Sequence, residues 1–160
     1  MMRAAVLTSS DAGARGERED TSGERLCTLV KQLGELADYR VLPDEAEQLE
    51  VLMRQWITDG IDLIVTTGGT GLGPRDVMPE VTRRLITREI PGMAEAMRVE
   101  SAKHTPFGMI SRQVVGTVDH TLIINFPGSP KAIDELWPVV HPVLAHLVDL
   151  LHGKTRHEKS

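Results

Sequence analysis

Apolar and polar residues form segments along the chain that switch between the strand period and the helix period. Arg3 to Thr8 is a short β-rich run and predicts a first strand, with a polar loop from Ser9 to Asp20 after it. Apolar side chains then recur at i, i+3, i+4 and i+7, at Leu26, Leu29, Val30 and Leu33. This spacing predicts an amphipathic helix. Thr21 and Glu24 have the spacing of a capping box at its start.

The middle of the chain repeats this alternation. Tyr39 to Leu42 predicts a second strand, and a second helix is marked by Leu49, Leu52, Met53 and Trp56. Ile61 to Val65 is nearly all apolar, which favours a central parallel strand buried on both faces. Pro79 fits the first turn of a third helix, which we expect to run to Ile86.

The last third predicts a helix, a hairpin and a final helix. Pro91 and Gly92 end the preceding helix, and Met93 and Met97 indicate a further one. Two strand-like runs, 113–118 and 121–126, are separated by two residues, which is typical of a tight hairpin. Ser129 and Pro130 suit the cap and first position of a final helix, in which Pro138 and Pro142 should produce a kink or a division.

These elements predict an α/β fold. The order β-α-β-α-β-loop-α-α-β-β-α indicates a three-layer sandwich, with a mostly parallel sheet plus one antiparallel hairpin strand. Right-handed crossovers would place helices on both faces. The length of 160 residues suits one domain, which we predict to span 1–160.

Composition narrows the classes of function. The net charge of −5 is spread along the chain, which argues against nucleic-acid binding, since that requires a basic face. Aromatic residues make up 3% of the chain, so the core must be aliphatic, and the single cysteine, Cys27, lies on the apolar side of a predicted helix. The sequence contains no signal-peptide core and no apolar stretch of membrane-spanning length. We therefore expect a cytoplasmic protein that does not bind membranes.

Polar residues follow the predicted strands at the end where ligands bind in open α/β sheets. Ser10 and Asp11 follow the first strand and Asp44 the second. The third strand leads into a loop that contains Thr67, Gly68, Gly69, Thr70 and Gly71, and the last strand leads into Pro127, Gly128 and Ser129. The sequence therefore predicts a ligand site at this edge of the sheet.

The glycine-rich loop after the third strand predicts a phosphate site. Four of the six residues from Gly68 to Gly73 are glycines, which let backbone N–H groups turn toward an anion. The segment has neither the Gly-Lys-Ser/Thr of a P-loop nor the spacing of the dinucleotide fingerprint. A flexible turn without a ligand is the alternative. A second candidate phosphate site is the helix start at Gly128 and Ser129, where Ser129 would otherwise be a plain cap.

Asp44 and Asp76 are the candidate catalytic acids. Carboxylates are hard oxygen ligands, suited to a Mg²⁺ ion that bridges nucleotide phosphates. Two structural roles remain open as alternatives. Asp44 could cap the helix that starts near Glu45, and Asp76 could cap the helix near Pro79 or pair with Arg75.

Several motifs together resemble one protein family. Thr66-Thr67-Gly68-Gly69-Thr70-Gly71, followed by Pro74-Arg75-Asp76-Val77 and Pro79-Glu80, resembles the signature of the Mog/MoaB-type molybdenum-cofactor biosynthesis proteins, which include the gephyrin G domain. Further matching positions are Ser10-Asp11, Asp20, Pro43-Asp44-Glu45, Ser111-Arg112 and the segment from Leu122 to Pro130. The match covers residues 3 to 150.

The resemblance implies a molybdopterin-binding fold and a homo-oligomer, a trimer or a dimer of trimers. It implies molybdopterin adenylyltransferase activity, in which ATP and molybdopterin give adenylyl-molybdopterin and pyrophosphate with Mg²⁺. It links Asp76 to magnesium and catalysis and Asp44 to catalysis, and it places Thr67 to Gly71 and Ser111 in the ligand site. It also suggests contact with the downstream metal-insertion protein.

The chain departs from the family pattern at Met78, where many relatives carry threonine. Without that hydroxyl, Asp76 becomes a candidate cap for the next helix. Two other functions stay open. The first is a molybdopterin carrier or scaffold of the MoaB type that catalyses no reaction. The second is a catalyst of another step, such as metal insertion.

Overall fold

The computed structural model describes residues 1–154, which contain a six-stranded sheet in the order β2-β1-β3-β6-β5-β4. The strands are β1 Met2–Ser9, β2 Gly34–Leu42, β3 Leu63–Thr67, β4 Arg88–Glu89, β5 Val115–Val118 and β6 Thr121–Phe126. The predicted domain boundary at residue 160 therefore lies outside the described residues.

The sheet is mostly parallel, as predicted. The strands β2, β1, β3 and β6 run parallel to one another, and β5 pairs antiparallel with β6. The hairpin turn lies at Asp119, which takes a left-handed φ of 51°. The two-residue strand β4 pairs antiparallel with β5 and was not predicted, because so short a strand has no periodicity.

Helices cover both faces of the sheet and make the three predicted layers. The helices are α1 Asp11–Ala14, α2 Thr21–Lys31, α3 Ala46–Thr58, α4 Met78–Leu85, α5 Pro91–Ala102 and α6 Pro130–Leu151, with a 3₁₀ helix at Pro106–Ile110. One apolar core joins α2, α5 and α6 to one face, and a second joins α3 and α4 to the other. In β1, Ala4 and Val6 enter the first core while Ala5 and Leu7 enter the second, so this strand is buried on both faces.

Pairing in the sheet moves two strand boundaries. The second strand begins at Gly34 rather than Tyr39, because β1 pairs with it from Met2↔Gly34 to Ser9↔Leu42. The third strand begins at Leu63 and extends to Thr67, two residues beyond the predicted end. Backbone pairing between neighbouring strands decides these limits, and the apolar pattern does not contain it.

The cap of α2 lies one residue before the predicted capping box. The Asp20 side chain accepts a hydrogen bond from the Gly23 backbone N–H (3.1 Å), so Asp20 and not Thr21 is the N-cap. The loop predicted from Ser9 to Asp20 also contains the four-residue helix α1, capped by Ser10. A single helical turn is too short for the helix period to be visible.

The sequence predicts a kink or a division of the final helix at Pro138 and Pro142. The helix runs continuously from Pro130 to Leu151, so it is not divided. The two prolines are four residues apart, and both are exposed. The carbonyl groups that lose their helical partners, on Asp134 and Pro138, therefore belong to residues that water reaches. The opposite face is held by six buried apolar residues: Ile133, Leu136, Trp137, Val140, Leu144 and Val148.

None of the helices within residues 1–154 is both long and apolar enough to cross a membrane.

Candidate active site

The strand order reverses between β1 and β3, because β2 lies on the outer side of β1 and β3 on its inner side. Such a reversal opens a crevice at the carboxyl ends of the strands. Ser9 ends β1, and Gly68 follows β3 directly. The two residues nearly touch, since a Cβ atom on Gly68 would lie 2.4 Å from the Ser9 carbonyl oxygen. The predicted convergence of loops therefore occurs at this crevice.

The glycines of the loop after β3 serve two different purposes. Gly68 and Gly69 have left-handed φ angles of 89° and 71°, which residues with a Cβ atom rarely adopt. Gly71 and Gly73 instead make room for the carboxylate of Asp76, because a Cβ atom on either would lie 2.9 Å from its Oδ2. The loop is therefore folded around Asp76.

Donors elsewhere in the protein hold the carbonyl groups of this loop. The Met78 N–H donates to the Gly69 oxygen (3.1 Å). Arg112 donates twice, from its backbone N–H to the Thr70 oxygen (2.9 Å) and from Nε to the Gly71 oxygen (2.8 Å). Within residues 1–154, the N–H groups of Gly69, Thr70 and Gly71 donate to no acceptor. The loop thus presents free backbone donors, as an anion site requires.

Asp76 plays neither of the structural roles that the sequence left open. The N-cap of α4 is Val77, with no side-chain hydrogen bond, so the capping alternative raised by Met78 is wrong. Met78 is instead fully buried in the apolar core, and Arg75 pairs with residues other than Asp76. The Asp76 Oδ2 accepts a hydrogen bond from the Gly73 N–H (2.8 Å). No donor within residues 1–154 bonds to its Oδ1, which leaves that oxygen for a ligand.

Asp44 links the loops that follow β1 and β2. Its Oδ1 accepts a hydrogen bond from the Ser9 hydroxyl (2.5 Å), and its Oδ2 accepts one from the Asp11 N–H (3.1 Å). In return, the Asp44 N–H donates to Asp11 Oδ1 (2.9 Å). Asp44 does not cap α3, whose N-cap is Glu45 without a side-chain hydrogen bond. Its carboxylate therefore faces the crevice loops rather than the helix.

Arg75 extends this link to the glycine-rich loop. Its guanidinium donates to both carboxylate oxygens of Asp11 (3.0 and 3.1 Å) and to Glu45 (2.9 Å). These hydrogen bonds hold the pKa of Asp11 below its ordinary value, and the Asp44 N–H acts in the same direction. Asp11, predicted to bind substrate, is thus engaged by protein donors on both carboxylate oxygens.

An apolar cavity of about 500 Å³ opens on one side of the glycine-rich loop. This volume is in the range of sites for small organic ligands. The lining residues are Thr70, Gly71, Ser101, His104, Thr105, Phe107, Gly108, Ile110, Ser111, Pro127, Ser129, Lys131, Ala132 and Glu135. Most of the exposed wall is apolar surface, although eight of the lining residues have polar or charged side chains. Such a wall suits a flat ring system with polar substituents.

A smaller and more polar cavity of about 130 Å³ borders the start of the loop, at Gly68. It is lined by Thr8, Ser9, Ser10, Gly13, Arg18, Glu19, Asp20, Thr21, Ser22, Gly68 and Gly128. Asp20 is anchored at its wall, accepting hydrogen bonds from the Thr8 hydroxyl (2.7 Å) and from the Tyr39 hydroxyl. Burial, together with the bond to Asp20, raises the pKa of Tyr39.

The structure brings most of the predicted binding residues to these two cavities. Gly68, Gly128 and Ser10 line the polar cavity, and Thr70, Gly71, Ser111, Pro127 and Ser129 line the apolar one. Ser129 also caps α6, as predicted, by accepting a hydrogen bond from the Ala132 N–H (3.4 Å). Thr67 is fully buried, and its hydroxyl donates to the Pro127 oxygen (2.8 Å), so it supports the wall from behind.

Asn125, one residue before the end of β6, lies behind the site and was given no role from the sequence. It is fully buried in β6, and its amide group donates to the hydroxyls of Thr66 and Thr82 (both 3.0 Å). Its Oδ1 accepts a hydrogen bond from the Val114 N–H (3.1 Å). A polar residue inside an otherwise apolar strand was the signal that could have revealed it, since buried amides need partners.

The residues present are compatible with one Mg²⁺ ion. Among the described residues, no group of three or more His, Cys, Asp or Glu side chains could hold a metal. Mg²⁺ is usually bound by one or two carboxylates, with substrate phosphates and water as the other ligands. The unengaged Oδ1 of Asp76, beside free backbone donors for phosphate, fits that pattern.

Comparison with known proteins matches residues 5–146 to the family described as probable molybdopterin binding domain. The chain is 40% identical to a gephyrin of Dictyostelium discoideum over 94% of its own length, but it spans only 23% of that protein. It is 38% identical to a molybdopterin adenylyltransferase of Helicobacter pylori J99, covering 92% of this chain and 86% of that enzyme.

A solved structure closely matches the whole fold. The molybdopterin biosynthesis enzyme MoaB of Thermus thermophilus superposes with a TM-score of 0.88 and is 46% identical. The match covers 96% of this chain and 98% of the other.

Proposed function

Because this chain belongs to the family of probable molybdopterin binding domains, we propose that it is a molybdopterin adenylyltransferase of molybdenum cofactor biosynthesis. In this reaction, a terminal phosphate oxygen of molybdopterin attacks the α-phosphorus of ATP. The bond from that phosphorus to the oxygen bridging to the β-phosphorus breaks, and pyrophosphate leaves with the electron pair. A phosphate monoester is already a competent nucleophile, so no Ser-His pair is needed.

The proposal is supported above all by the peptide groups of the glycine-rich loop. Their oxygens at Gly69, Thr70 and Gly71 are bound by protein donors, while their N–H groups are free within residues 1–154. An array of fixed, neutral donors can stabilise charge that develops on a transferred phosphate, without reorganising during the reaction. A turn that binds no ligand would not require fixed carbonyl groups together with free N–H groups.

The cavities support a placement of the substrates. The apolar cavity would hold the ring system of molybdopterin, with Ser111, Ser129 and Lys131 near its polar groups. The glycine-rich loop would hold a phosphate between the two cavities. Asp76 would hold Mg²⁺ through Oδ1, and the ion would offset the charge on the phosphates of ATP. Asp44 would keep the loops after β1 and β2 in place beside them.

A molybdopterin-binding carrier without chemistry is the alternative. This alternative stays open because the chain resembles both a MoaB protein, at 46% identity, and a molybdopterin adenylyltransferase, at 38% identity. The purified protein, mixed with ATP, Mg²⁺ and molybdopterin, should release pyrophosphate in step with adenylyl-molybdopterin. Molybdopterin binding without pyrophosphate would contradict the transferase and support the carrier.

The remaining proposals follow from the resemblance. We place the protein in the cytoplasm, as a homo-oligomer that passes its product to a metal-insertion protein. A binding assay between the adenylyl-loaded protein and that downstream protein would test the transfer.

A further inference from the structure

Arg112 contacts the glycine-rich loop more extensively than any pattern in the sequence indicated. Its backbone N–H and Nε bind the carbonyl oxygens of Thr70 and Gly71, and its Nη2 donates to the carbonyl oxygen of Asp76 (3.0 Å). Its Nη1 donates to both carboxylate oxygens of Glu80 (2.7 and 3.0 Å). One side chain therefore joins both ends of the loop to the first turn of α4.

The charge of Arg112 is already compensated. The two hydrogen bonds from one nitrogen to Glu80 form an ion pair, and the side chain of Arg112 is only one-third exposed. Its other side-chain donors are directed at carbonyl oxygens of the loop. Arg112 is thus arranged to hold the backbone rather than to bind a substrate phosphate.

The backbone that carries Arg112 is itself anchored. The next residues bond to buried or partly buried groups, because Arg98 donates to the Gln113 oxygen (3.0 Å) and Asn125 exchanges two hydrogen bonds with Val114. A fixed backbone and a planar guanidinium together define where the loop carbonyls lie. A lysine would keep the backbone hydrogen bond to Thr70, but its single ammonium lacks the spread of donors that holds the carbonyl groups of Gly71 and Asp76.

We propose that Arg112 is a positioning residue. It turns the carbonyl groups of the loop away from the substrate, and the loop N–H groups and the Asp76 carboxylate are then aimed at the substrate. The expected effect of Arg112 on the reaction rate rests on the proposed adenylyl transfer. The expected effect of Arg112 on the conformation of the loop does not. A displacement of about 1 Å in such a site can reduce a rate by about 100-fold.

The test compares Arg112→Lys and Arg112→Ala with Arg83→Lys as the matched control. Arg83 lies on α4 and forms an exposed ion pair with Glu89 (2.9 Å), and within residues 1–154 it makes no hydrogen bond or ion pair with the loop. We expect Arg112→Lys to lower kcat by about 100-fold, with a KM for molybdopterin close to wild type. Guanidinium at millimolar concentration should restore part of the activity of Arg112→Ala, since the side chain is partly exposed. The Arg83→Lys variant should keep full activity.

A second readout does not depend on activity. The amide NMR signals of Gly69, Gly71 and Gly73 should move in both Arg112 variants and stay in place in Arg83→Lys. Unchanged signals in the Arg112 variants would overturn the inference, as would an equal loss of activity in the control. If the wild-type protein releases no pyrophosphate, the proposed function fails, and the amide signals still decide whether Arg112 positions the loop.

Discussion

The two oxygens of the Asp76 carboxylate have different surroundings. Oδ2 is held by the Gly73 N–H and packed against two glycines, whereas Oδ1 has no protein donor within residues 1–154. A fixed carboxylate with one free oxygen suits a metal ligand, because the side chain loses little entropy on binding. Neither helix capping nor an ion pair explains its position.

Asp76→Asn should therefore keep the fold and lose turnover. The amide is nearly isosteric and can still accept the Gly73 hydrogen bond, but it is a much weaker Mg²⁺ ligand. We expect kcat for pyrophosphate release to fall by about 100-fold or more, with a thermal midpoint close to wild type. The exposed Asp59→Asn, at the end of α3, is the control. Full activity of Asp76→Asn would exclude the metal role.

Cys27 makes stability depend on pH in the alkaline range. Burial raises the pKa of its thiol to about 11 from an ordinary value of 9.0. Between pH 9 and 11, the folded state therefore keeps the thiol proton, whereas the unfolded state loses it. The free energy of unfolding has its full value below pH 9 and falls as the pH rises from 9 toward 11. The loss should reach about 2 kcal/mol at pH 11.

Urea unfolding at several pH values would measure this effect. The Cys27→Ala variant should show a smaller fall in the free energy of unfolding between pH 9 and 11. Burial also raises the pKa of Tyr39, so part of the alkaline loss should persist in that variant. An identical slope in both proteins would refute the role of Cys27.

At the scale of elements, the end of β1 and the start of the glycine-rich loop approach each other closely at Ser9 and Gly68. Gly68→Ala would add a Cβ atom 2.4 Å from the Ser9 carbonyl oxygen, at a left-handed φ of 89°. We expect the free energy of unfolding to fall by about 2–4 kcal/mol. Gly92→Ala, in the first turn of α5, has open space around the new atom and should change stability little. Chemical denaturation of both variants checks this, and equal stabilities would contradict the close approach.

Elements with a clear period were predicted well, and short ones were not. The helices α2, α3 and α6 and the strands β1, β3 and β6 follow apolar patterns long enough to recognise. The single-turn helix α1, the two-residue strand β4 and the 3₁₀ helix do not, because each is too short to display a period. The continuous α6 shows a different effect, since packing of its buried face outweighs two exposed prolines.

At the scale of the whole molecule, the family resemblance predicts a homo-oligomer, either a trimer or a dimer of trimers. Three large apolar side chains near the 3₁₀ helix are more than 60% exposed: Val99, Phe107 and Met109. Light scattering with size-exclusion chromatography should give three times, or six times, the chain mass of 17.6 kDa. A mass of one chain at micromolar concentration would contradict this prediction.

The sequence by itself determined the fold class and the family, and it predicted a candidate site at the ends of β1, β2, β3 and β6. It could do so because apolar periodicity and glycine positions are local properties that the chain displays directly. Only the tertiary structure decided how the site residues are divided among tasks. It placed Asp76 inside the glycine-rich loop, engaged Asp44 and Asp11 with each other, and brought Arg112 to the loop carbonyls. These contacts join residues 30 or more positions apart, or depend on backbone turns, and no local pattern encodes them.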